Sequence, residues 1–119
     1  EASRQKAAIV GPLMQDMLRR AHEGGVNVAF GTDTGVSKHG DNAQEFALMV
    51  GAGFTPEEAI RAATVIASEH VEMDADIGTI TPGKYADIIA VTADPLKDIT
   101  ELEDVDFVMK GGVVYKNED

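Results

Sequence analysis

The chain predicts an α/β fold made of two incomplete parts, and three observations lead there. Apolar residues recur at three- and four-residue steps between Ser3 and Glu23, which marks one face of a helix. Val26 to Gly31 is a short apolar run bounded by glycines, the pattern of a strand buried on both faces of a parallel sheet. After residue 72 the helical period disappears, and short β-rich runs alternate with Pro and Gly turns. Residues 1–72 therefore read as helix-strand-helix-helix and residues 73–119 as all-β.

The first helix carries Ile9, Val10, Leu13, Met14, Met17, Leu18 and Ala21 as a stripe expected to be buried. Gly11-Pro12 should kink or restart it, because proline has no amide hydrogen and crowds the preceding turn. Gly24-Gly25 ends it with a left-handed cap. Beyond the strand, Asp41 and Gln44 have the spacing of a capping box before a short helix through Phe46, Leu48, Met49 and Val50, which should stop at Gly51 or Gly53. Thr55-Pro56-Glu57-Glu58 is a stronger start, with a threonine N-cap, proline at the first helical position and glutamate three residues after the cap. The helix it opens is expected to run to about His70.

Further on, Pro82-Gly83 and Asp94-Pro95 are turns on either side of a strand over Asp87 to Thr92. The segment "DVDFVMKGGVVYK" is a hairpin that reverses at Gly111-Gly112, residues that tolerate the positive φ of a tight turn. Three short strands make a poor free-standing sheet, and one parallel-type strand lacks neighbours. Both parts look like pieces of larger architectures, and a first residue Glu1 in place of methionine fits a piece of a longer protein.

At 119 residues, 44% apolar and 26% charged, the chain has the size and composition of one soluble globular domain. A formal charge of −11 argues against nucleic acid or an anionic membrane as partner, since phosphates would be repelled. The absence of cysteine excludes disulfide and thiolate chemistry and fits a reducing compartment, which favours the cytoplasm over secretion. No apolar run approaches the roughly 20 residues of a membrane span.

Asp33 is the residue that raises the question of function. It falls just past the carboxyl end of the expected strand, where α/β folds gather their functional groups, yet aspartate is equally common as a turn residue that caps nearby amides. His39 follows six residues later in a polar loop with Asp41 and Asn42, close enough in sequence to face the same pocket or simply to be solvated. His22 and His70 each lie in the last turn of a helix, where a histidine interacts favourably with the helix dipole, and both read as structural. Lys84 and Asp87 flank a turn and read as architecture. None of the three histidines has the His-x-His or His-Glu-x-x-His spacing of a zinc site, so the chain does not build a catalytic metal centre alone.

Asp33-Thr34-Gly35 is also the triplet of a retroviral-type aspartic protease, whose small subunit completes a carboxylate pair by dimerising. That fold is nearly all β, so the helical period of residues 3–23 and the capped helix from Thr55 stand against it.

Taken in order, Gly31-Thr32-Asp33, His39-Gly40, Thr55-Pro56-Glu57-Glu58-Ala59, Ala62-Ala63-Thr64, Gly78-Thr79-Ile80, Pro82-Gly83-Lys84, Ala86-Asp87 and Asp94-Pro95-Leu96 resemble the carboxyl-terminal part of the metal-dependent amidohydrolase superfamily. Each motif is weak alone, and together in register they are specific. The similarity is greatest to the branch of imidazolonepropionase-like proteins, Xaa-Pro dipeptidases and related carboxypeptidases. The resemblance implies that residues 1–72 end a (β/α)8 TIM barrel and that residues 73–119 supply strands of a small composite β-sandwich. It implies that Asp33 ligates a divalent metal, zinc above all, as one or two ions, and serves as general base, with His39 near a small-molecule substrate. It also implies hydrolysis of a C–N bond in a dipeptide, N-acyl amino acid or cyclic amide, or else a purely structural role in completing a barrel. The family's other ligands sit on earlier strands, so the remaining amino-terminal polypeptide is the expected partner, and a homo-oligomer stays open.

Overall fold

The computed structural model describes residues 2–33, 35, 38 and 40–118. Among these residues, four helices and a three-stranded antiparallel sheet are arranged as a mixed α/β chain. That much helix is incompatible with the nearly all-β aspartic protease architecture.

Helix α1 spans Ala2–Glu23 without interruption, with Pro12 inside it. The expected stripe is present but it is not buried. Leu13 is 63% exposed and Met17 62%, and Leu18 alone of that row packs against the core, because within the described residues nothing else covers this face. Gly24 and Gly25 close the helix as expected, with Gly25 at φ 71°.

Val26 to Gly31 forms no strand among the described residues. A strand is defined by its ladder, and here the backbone bonds go to helices instead. Val26 N–H donates to the Ala21 carbonyl and Phe30 N–H to the Ala62 carbonyl, each at 3.0 Å.

Residues Asp41–Ala43 form a 3₁₀ turn that leads into α2, Gln44–Gly51. The expected Asp41 capping box is absent: the N-caps are Gly40 and Ala43, and neither supplies a side-chain bond. Because the 3₁₀ turn advances the chain before α2 starts, Asp41 stands too far from the helix to cap it. By contrast, Thr55 and Glu58 form the reciprocal capping box in full at the head of α3, Pro56–Ala63.

That helix stops early. Thr64 takes φ −118° and ψ −85°, and α4, Val65–His70, begins anew. Thr64, Val65 and Ile66 are a β-branched run, stiff against a helical turn, and the Thr64 hydroxyl bonds back to the Ile60 carbonyl at 2.8 Å.

The core lies where α2, α3 and the 26–30 segment meet, with Met49, Ala52, Phe54, Ala59 and Ala62 buried. Ala59 and Ala62 are small enough to bring α3 close. A second 3₁₀ turn, Ile99–Glu103, buries Ile99 and Leu102 and packs against α2. The sheet follows the expectation: β1, Ile88–Ala90, pairs with β2, Phe107–Lys110, which turns through Gly111 and Gly112 into β3, Val113–Asn117. A register shift at Val108/Met109 places a bulge in the hairpin.

Candidate active site at Asp33

The path to Asp33 is fastened along its length and exposed at its end. At its base, His22 in the last turn of α1 sits 3.0 Å from the Glu58 carboxylate through Nε2, and its ring lies 4.3 Å from that of Phe54. Glu58 also accepts the Thr55 N–H at 2.8 Å. The bond from Thr55 and then that from His22 hold the Glu58 carboxyl below the usual glutamate range. Val28 and Phe30 then pack against the core, with the Phe30 ring 4.6 Å from Phe46.

Residues Val28 to Gly31 form one wall of a groove of about 580 Å³, faced by Met14, Met17 and Leu18 of α1. Asp33 follows, exposed, with φ 49°. A left-handed conformation costs a side-chain-bearing residue roughly 1–2 kcal/mol, and aspartate is among the residues that visit it. An exposed carboxylate offers oxygen donors of the kind that divalent metals take. Among the described residues, no group of three or more His, Cys, Asp or Glu is arranged to hold a metal ion. His39 lies outside the described residues.

The Lys84 ammonium donates to the carbonyls of Asp74 and Ile77, and the Asp87 carboxylate accepts the Gly111 N–H at 2.7 Å, so both are architectural as expected. His70 ends α4.

The sequence profile of the Amidohydrolase family matches residues 7–115. The chain belongs to the amidohydrolase family. Amidohydrolase relatives agree in sequence and in structure. Ochratoxinase from Aspergillus niger is 37% identical over 111 residues, which is 87% of this chain and 23% of that protein. Its crystal structure superimposes with a TM-score of 0.81 over 98% of this chain and 28% of its own, at 33% identity. A Xaa-Pro dipeptidase crystallised with methionine in its active site superimposes with a TM-score of 0.91 at 46% identity, over 96% of this chain and 28% of that one. The chain thus spans about a quarter of the length of these amidohydrolases.

The contact between His22 and Glu58 is what the sequence did not disclose. The two residues are 36 positions apart, and no local pattern joins them. Only the Glu58 half was visible, as a capping residue.

Proposed function

We propose that this chain is the carboxyl-terminal part of a zinc-dependent amidohydrolase that hydrolyses an amide- or peptide-type C–N bond, in a dipeptide, an N-acyl amino acid or a cyclic amide. The observation that carries the reading is the family match over residues 7–115 together with the exposed Asp33 carboxylate at the end of the 26–33 segment. On this reading residues 1–72 close the barrel, residues 73–119 contribute strands to the small sandwich, and the other metal ligands lie on the remaining polypeptide.

Asp33 is assigned two roles. One carboxylate oxygen serves as a ligand, and the carboxylate accepts the proton of the attacking water and passes it to the leaving nitrogen. A bound zinc ion supplies Lewis acidity, which brings a water's pKa towards neutrality. His39 is assigned to the substrate side of the same loop.

The relatives favour amides bearing an amino acid portion: one is a Xaa-Pro dipeptidase, and a prolidase structure, 30% identical with a TM-score of 0.78, holds N-methylphosphonate-L-proline. The test is to remove metal from the intact enzyme by dialysis against a chelator and to assay a panel of dipeptides and N-acyl amino acids. Activity should vanish and return on adding zinc. Hydrolysis indifferent to chelation would overturn the reading.

A further inference from the structure

Helix α3 runs beside the segment that leads to Asp33 and is tied to it at two levels. Glu58 meets His22, four residues ahead of Val26 in the last turn of α1, and Ala62, one helical turn further along α3, accepts the N–H of Phe30 within the segment. The helix therefore acts as a splint with a fastening at each end. The upper fastening is backbone to backbone and indifferent to side-chain identity. The lower one depends on a single imidazole.

That imidazole is well placed for the task. The carboxylate it meets is itself fixed by the Thr55 N–H, so His22 grips a group that cannot swing away with the helix surface. The Phe54 ring at 4.3 Å fixes the other dimension of the histidine ring, and a small cleft lined by His22, Val26, Val28, Glu58 and Arg61 leaves the contact open to solvent on one side. Arg61 lies one turn from Glu58 and is the nearby cation that could compete for it.

We propose that His22 is a positioning residue for the reaction assigned to Asp33, setting the register of the 26–33 segment against α3 through its bond to Glu58. The proposal rests on the reading of Asp33 as catalytic. His22 touches no reacting atom. Its loss lets the base of the segment shift, and Asp33 shifts at the far end.

The experiment uses the intact enzyme and the variants His22→Phe, His22→Gln and Asp33→Asn. Phenylalanine keeps the aromatic contact with Phe54 and removes the hydrogen bond, whereas glutamine restores a side-chain N–H donor. His22→Phe should lower kcat on the order of tenfold with KM and zinc content unchanged, since small misplacements of a catalytic group are costly. His22→Gln should recover most of that loss, and circular dichroism should show both variants folded. Wild-type kcat in His22→Phe, or equal losses in the Phe and Gln variants, overturns the positioning role. Asp33→Asn separates the two claims: if it keeps activity the catalytic reading fails, and if it is inactive while His22→Phe is wild type only the positioning role fails.

Discussion

Gly78 shows how much one residue can be constrained by its neighbour. It holds φ 91°, and a Cβ built there would stand 2.3 Å from the Ser68 hydroxyl oxygen and 2.7 Å from the Ser68 Cβ. Ser68 is buried, and its hydroxyl donates to the Val65 carbonyl at 2.7 Å, so it has little room to withdraw. Gly78→Ala therefore adds backbone strain to overpacking, and about 2–4 kcal/mol of stability should be lost in a denaturant titration. A loss under about 0.5 kcal/mol, the range of an ordinary surface change, would show that the contact gives way easily. At Asp33 the positive φ was not readable from sequence, since aspartate after a strand serves as a turn cap or as a site residue equally well. Local chemistry alone leaves the two readings level.

At the level of elements, signals that close within a few residues were legible. Thr55, Pro56 and Glu58 satisfy their own backbone groups, so the start of α3 needs no tertiary help. Gly111 and Gly112 both take positive φ and fix the hairpin between β2 and β3. Features that depend on distant partners were not legible. The 26–31 run has the composition of a parallel strand yet lacks a ladder among the described residues, and the α1 stripe has the period of a buried face yet stays exposed. The break at Thr64 lay between: its β-branched run was in view, but a strong cap upstream suggested one continuous helix.

The capping box also carries a pH signature. The Glu58 carboxyl titrates below its ordinary value of 4.5, so its contribution to stability is complete above that value and disappears as pH falls through the lower, folded one. The stability gap between wild type and Glu58→Gln should therefore narrow as the pH is taken below 4.5 in urea titrations, and a gap that widens on acidification would refute the assignment. Thr55→Ala should cost about 1 kcal/mol at neutral pH.

At the scale of the whole molecule, two large apolar surfaces stand out among the described residues. One is the α1 stripe, where Ile9 is 67% exposed. The other is a groove of about 560 Å³ between α3, α4 and the sheet, lined by Ile60, Ala67, Ile77, Ile80, Tyr85 and Ile88. In a chain that spans about a quarter of its relatives' length, such surfaces fit a larger fold that they help to complete. No described helix is long and apolar enough to cross a membrane. Leu13→Lys, although Leu13 is 63% exposed in this chain, should destabilise the intact protein by more than about 2 kcal/mol, because it would bury an unpaired charge. Tolerance of lysine there would mean that α1 faces water in the complete enzyme.

On the proposed function Asp33 is a metal ligand and proton acceptor, and the hydrolysis rate of Asp33→Asn in the intact enzyme is the decisive measurement. The substitution keeps the size and turn preference of the side chain while removing its charge and basicity. The expected result is a fall in kcat of about 10²- to 10⁴-fold in a folded protein, the usual contribution of a general base. Wild-type turnover by the asparagine variant would contradict it.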